Sequence, residues 1–232
     1  MSGKCSIPAK FIACAVLVII IIAALTAYSY SSTKDKMAQN LELGLESTAG
    51  VMATQINASE IEGLKPGDEL NPQYMAVVNK LRTMRSMNDH IVNAYIMHVN
   101  PDQTITFIVD DLYPDDPQGS AKIGEVYTTP DRAEIFAALS GPSASKQPYT
   151  DKYGSFVSAY APIDDSAAGS NGNTTAVLGI DVSAKDFTTY THGEGYPIIA
   201  TGIVSMILAA GAILYFGMKL RKAEEECRPG TK

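Results

Sequence analysis

The chain has 232 residues, a net charge of −7 and an isoelectric point of about 4.9, which argues against nucleic acid or an anionic membrane surface as partner. That length suits one domain with additional elements. A mean hydropathy of +0.01 conceals two apolar blocks near the ends and a polar middle, and the middle has no cysteine to staple it, since Cys5, Cys14 and Cys227 all lie outside residues 31–196.

The first block, Phe11 to Ala27, is 17 residues long, and Tyr28 to Tyr30 extend it through an interface. A helix rises about 1.5 Å per residue, so roughly 20 residues cross a membrane core of about 30 Å. A signal peptide is the alternative, with Lys4 and Lys10 as its basic region. The length of the apolar run favours an uncleaved anchor over residues 11–30, with a tail over 1–10.

Residues 31 to about 61 read as a helix continuing that span. Met37, Leu41, Leu45, Thr48, Met52 and Ile56 recur at spacings of three and four. Such a stripe packs on its own domain, pairs with a second subunit, or does both. Leu64 to Asp68 is a turn. Asn71-Pro72 opens a second helix that runs to about Asn88. His90 to Val99 is apolar on both faces and reads as a central strand, paired through an Asn-Pro-Asp turn with Gln103 to Val109. An Asp/Pro-rich loop covers Asp110 to Gly119, and a short helix runs from Asp131 to Leu139. A short strand near Gln147 to Thr150 precedes a strand at Tyr153 to Ile163. A Ser/Gly/Asn linker, Asp164 to Asn173, then leads to a strand at Thr174 to Ser183. Hairpins without βαβ alternation predict an α+β domain over 31–196, with an antiparallel sheet and the helices on one face.

The second apolar block, Pro197 to Met218, has 22 residues and no charge. A soluble core helix in a domain of this size is not expected to be apolar on every face, so the block reads as a second span. Thr201, Ser205 and Ala209 recur every four residues near Gly202, a spacing that allows close helix approach. The flanks 1–10 and 219–232 carry seven of the 18 basic residues, which leaves 11 basic and 22 acidic residues in the middle. Basic flanks stay inside, so both termini are expected in the cytoplasm and residues 31–196 outside the cell membrane.

Six segments in order carry a resemblance. They are Val109-Asp110-Asp111, Tyr113-Pro114-Asp115-Asp116, Ile123-Gly124-Glu125-x-Tyr127, Tyr149-Thr150-Asp151-x-Tyr153-Gly154, Ser158 to Ile163, and Ala176 to Ser183. Together, between two spans, they resemble a single-Cache domain, the PAS-like (PDC-type) extracytoplasmic sensor of prokaryotic chemoreceptors, kinases and cyclases. The resemblance covers about residues 35 to 190. It implies a five-stranded antiparallel sheet behind a long N-terminal helix, a small-molecule pocket on the sheet, and homodimers through the helix. Receptors of this kind usually continue into an output region, whereas this chain ends 14 residues after Met218. Either the chain is a piece of a longer receptor, or its output passes through a separate signalling partner.

Asp181 sits inside the apolar run Val177 to Val182, where a carboxylate is costly unless paired. It either caps the strand end or contacts a ligand. Many amino-acid-binding Cache domains place an Asp at the matching step to hold the ammonium, a role the resemblance implies for Asp181. Tyr95, Phe107, Tyr127, Tyr149, Tyr153 and Tyr160 are candidate aromatic walls with hydroxyl handles. Asp110 and Asp151 are candidate cation contacts. No partner for an amino acid's carboxylate is evident. The cluster Asp110, Asp111, Asp115 and Asp116 invites a calcium reading but lacks EF-hand spacing, and Asp with Pro is ordinary turn chemistry. His90, His98 and His192 are scattered, and no nucleophile elbow or phosphate loop is present, so neither an enzyme nor a cofactor is expected. The expected function is a membrane-anchored small-molecule sensor. The alternative is a co-receptor whose outer domain binds a protein partner.

Overall fold

A computed structural model describes residues 9–163, 175–193 and 195–226; the linker expected at 164–173 lies outside the described residues. The chain divides into two units, Met37–Tyr190 and a second formed from both ends, through Lys36 and from Thr191 onward.

The unit built from the ends contains the apolar parts of α1 (Ala9–Ala53) and α6 (Gly195–Glu226). Both helices are long and apolar enough to cross a membrane, with mean hydropathies of 2.8 and 2.2 over their best windows. Leu17, Ile20 and Leu25 on α1, and Leu208 and Leu214 on α6, are more than half exposed, as lipid-facing side chains are. Gly202 lets the two helices meet closely: a Cβ there would lie 2.4 Å from Thr26 Cγ2. The Gly202 face is therefore filled by the chain's own first helix. Thr201 and Ser205 satisfy their hydroxyls on the carbonyls of Pro197 and Thr201, at 2.6 and 2.8 Å.

In the Met37–Tyr190 unit, α1 stops at Ala53 rather than reaching residue 61. Gln55 and Ile56 donate to Met52 and Ala53 at 3.1 Å, tightening the last turn. Extended Asn57 then begins the short α2 (Ala58–Ile61), its N–H donating to Glu60 Oε2 at 3.1 Å. In α3 (Pro72–Arg85), Asn71 Oδ1 accepts the Tyr74 N–H at 2.7 Å and Pro72 opens the first turn.

Among the described residues, six strands form one antiparallel sheet: β1 (Ile91–Val99), β2 (Ile105–Asp110), β3 (Ser143–Ala144), β4 (Tyr149–Thr150), β5 (Ser155–Pro162) and β6 (Ala176–Ser183). The order is β2-β1-β6-β5-β3, with β4 also on β5. β3 meets Ala159 and Tyr160, whereas β4 meets Ser155 and Phe156, so two short pieces share the edge of β5 where a single fifth strand was expected. β1 is central, as its two apolar faces require.

Alternation sends Ala94, Ile96, Leu178, Ile180, Val157 and Ala159 to one face, against Leu45, Ala49, Met52, Val78 and Leu81 of the helices. The other face carries Tyr95, Met97, Phe107, Tyr160 and Val177. The expectation that all helices share one face is corrected here. The short helix α4 (Arg132–Ala137) lies on this second face, where Ile135 is buried with Tyr160 and Met97. α5 (Ala184–Gly193) follows β6.

Candidate ligand pocket

The second face holds the site because register stacks polar residues in a row. Asn93 of β1 pairs with Asp181 of β6, which pairs with Ser158 of β5. Two positions along, on the same face, Tyr95 and Tyr160 flank Gly179. A Cβ at Gly179 would lie 2.3 Å from Tyr95 Cε2. Glycine therefore leaves room for the Tyr95 ring to lie across β6 and reach the carboxylate.

Asp181 is 4% exposed. It accepts hydrogen bonds from Tyr95 Oη at 2.8 Å, Ser158 Oγ at 2.5 Å and Asn93 Nδ2 at 3.0 Å. Burial pushes its carboxyl up to about 6, and the three donors hold it from rising further. All three are neutral. With the Ser158 proton committed to Asp181, Tyr149 Oη donates to Ser158 Oγ at 2.7 Å. Tyr149 also meets Tyr160 at 3.2 Å and Tyr127 at 3.4 Å, and Tyr127 Oη donates to Asp151 Oδ2 at 2.6 Å. Burial raises all of these tyrosine hydroxyls above their ordinary value. Beneath this row, Ser145 donates to Asp131 and accepts the Ser158 N–H at 3.1 Å. Burial pushes Asp131 up to about 6.

A cavity of about 440 Å³ opens beside Asp181. Of the residues expected at a site, Asp181, Tyr95, Phe107, Asp110, Tyr127, Asp151 and Tyr153 line it. Tyr149 and Tyr160 do not; they belong to the hydroxyl network that joins Ser158 to Tyr127. Phe107 anchors the wall, its ring centroid 5.6 Å from Tyr95, 5.0 Å from Tyr127 and 5.8 Å from Tyr153. Tyr153 is not on a strand, as expected from sequence, but in the β4–β5 turn. Asp151 Oδ1 accepts the Tyr153 and Gly154 N–H groups at 2.8 and 3.1 Å, and that side-chain turn ends the strand early. Tyr127 is brought alongside β2 by its N–H to Ile105 O, at 2.8 Å.

Helix α3 positions the acidic side of the cavity. Tyr74 Oη donates to Asp110 O at 3.1 Å. Arg85 Nε donates to buried Asp111 Oδ2 at 2.6 Å, and Arg82 Nε to Asp111 O at 2.7 Å. This turns Asp110 into the cavity, where its oxygens accept the Leu112 and Ala121 N–H groups at 2.9 and 2.8 Å. Burial pushes Asp110 up to about 6. The neighbouring acids are likewise engaged locally: Asp115 by Arg82 at 2.9 Å, Asp116 by the Gly119 N–H at 3.0 Å. These four carboxylates do not converge on one point as calcium requires. Among the described residues no group of three His, Cys, Asp or Glu is placed to hold a metal ion.

Sequence reasoning missed Asn93, Ser158 and Phe156. The signal for Asn93 was present: a polar residue breaking an apolar strand, as Asp181 does. A larger cavity of about 680 Å³ opens near α2, lined by His98, Thr106, Ile108 and Ile123 among others. It has no buried charged side chain, so the smaller cavity is the better candidate.

The sequence matches no known protein family and no curated protein. Among solved structures it is similar to the ligand-binding domain of the Campylobacter jejuni chemoreceptor Tlp3 in complex with L-norvaline, at 12% identity and a TM-score of 0.35. The match covers 82% of this chain and 66% of that one. A likeness this distant carries no weight for the site, which stands on its own residues.

Proposed function

We propose that the chain is a membrane-anchored sensor of the single-Cache kind, whose domain at 31–196 lies outside the cytoplasm and binds a small organic molecule. Residues 11–30 and 197–218 are its spans, and the short basic tails 1–10 and 219–232 face the cytoplasm. The observation that carries this reading is the cavity beside Asp181, a buried carboxylate held in position by Tyr95, Ser158 and Asn93 and walled by aromatic rings. A pocket that is mostly apolar, with a few fixed polar groups, is the usual form of a small-molecule site. α1 runs without interruption from the first apolar block into the domain, and β6 leads through α5 toward the second. A ligand that prefers one arrangement of the sheet shifts the populations of states communicated to the spans. A homodimer through the exposed face of α1, with Leu43 and Val51, fits this reading.

The test is a thermal-shift screen of the full-length protein in nanodiscs against a metabolite library. A stabilising compound whose effect disappears in Asp181→Ala supports the proposal. If no compound stabilises the protein, the cavity is not a ligand site.

A further inference from the structure

The charge of the cavity lining is one-sided. Asp110, Asp116, Asp151 and Asp181 line it, and among the described residues no lysine, arginine or histidine does. Asp181 and Asp110 are 4% and 8% exposed, yet every hydrogen-bond donor to them is neutral. Of the domain's other buried acids, Asp111 is paired with Arg85, and Asp131, which does not line the cavity, accepts from Ser145. Asp110 and Asp181 differ from Asp131 in lining open space, where a cation can reach them and offset the cost of their burial. Lys152 does not supply it: that side chain is paired with Glu125 and does not line the cavity. The walls Tyr95, Phe107, Tyr127 and Tyr153 offer aromatic faces, which attract organic cations. An inorganic ion would need six to eight converging oxygens, and the cavity is far larger than one ion.

We propose that this cavity takes a small organic amine, a primary or quaternary ammonium on an apolar body, and rejects the same molecule once it carries a carboxylate. This rests on the reading of the cavity as the ligand site. The ammonium sits against Asp181, and the apolar body lies among the aromatic rings. A carboxylate on the ligand would face acidic side chains with no cation to answer it.

Isothermal titration calorimetry of the full-length protein in nanodiscs tests this with matched pairs: 2-phenylethylamine against L-phenylalanine, putrescine against L-ornithine, and choline against glycine betaine. The expected result is that at least one amine binds, at least about 30-fold more tightly than its carboxylated partner. Asp181→Asn should weaken that amine by a similar factor. The pairwise comparison needs no variant, so it decides even if the variant does not fold. Carboxylated partners binding as tightly as the amines, or an amine binding Asp181→Asn unchanged, overturns the amine assignment and leaves the sensor reading standing. No binding by any of the six, nor by a wider set of amino acids and carboxylic acids, overturns both.

Discussion

Asp181 combines burial with hydrogen bonding in a way that makes stability depend on pH. Its carboxyl stands at about 6, above the ordinary 3.8, so between these values the folded state binds more protons than the unfolded one. The protonated form therefore contributes stability below about pH 4, and that contribution is lost as pH rises through 6. Replacing Asp181 by Asn removes this term. Relative to the parent, Asp181→Asn should gain up to about 3 kcal/mol between pH 4 and pH 8, the equivalent of two pKa units. The chain has no tryptophan and 12 tyrosines, so tyrosine emission during denaturation can follow it. Equal stability differences at both pH values would contradict this account. Gly179 matters for a different reason: Tyr95 occupies the space above it. Gly179→Val should displace that ring, lower stability by about 1–3 kcal/mol and abolish binding of any compound that depends on Asp181. An unchanged melting temperature would show that Tyr95 does not need that space.

At the scale of elements, α3 is the part that sets the acidic loop. Tyr74, Arg82 and Arg85 fasten residues 110 and 111 from one helical face. Asp111 is fully buried, so Arg85→Ala would leave its charge unpaired. The expected loss is about 3–5 kcal/mol, measurable by denaturant titration. The double variant Arg85→Ala/Asp111→Asn should recover most of it, and failure to recover would mean the pair is not what holds the loop. The turns after α1 and β4 both rest on local side-chain acceptors: Glu60 Oε2 takes the Asn57 N–H, and Asp151 Oδ1 takes the Tyr153 and Gly154 N–H groups, which interrupts the regular ladder.

At the scale of the whole chain, the described residues give two long apolar helices and an acidic α+β unit. Orientation is testable in intact cells. Leu70 is 71% exposed, and a Leu70→Cys variant in which Cys5, Cys14 and Cys227 are serine offers one thiol. It should react with a membrane-impermeant maleimide before lysis. Reaction only after lysis would place residues 31–196 in the cytoplasm and remove the basis for an external sensor.

Much of this was legible along the chain. Both apolar helices, the two long hairpins and the acidic middle follow from hydropathy, period-two alternation and turn residues, which are local properties. Asp181 was legible as a carboxylate in an apolar strand, and most of the aromatic wall as tyrosines near strand ends. What local pattern could not provide is which strands neighbour one another, since cross-strand register between residues far apart in sequence is set by packing both faces of the sheet at once. Asn93, Asp181 and Ser158 form one row only because β1 and β5 flank β6 in that register. The sequence determined two helices long and apolar enough to cross a membrane and, between them, an acidic, aromatic sheet domain. Tertiary structure alone decided that Asp110 and Asp181 share a cavity lined by no cationic side chain among the described residues, because cavity electrostatics depend on distances between elements rather than on order along the chain.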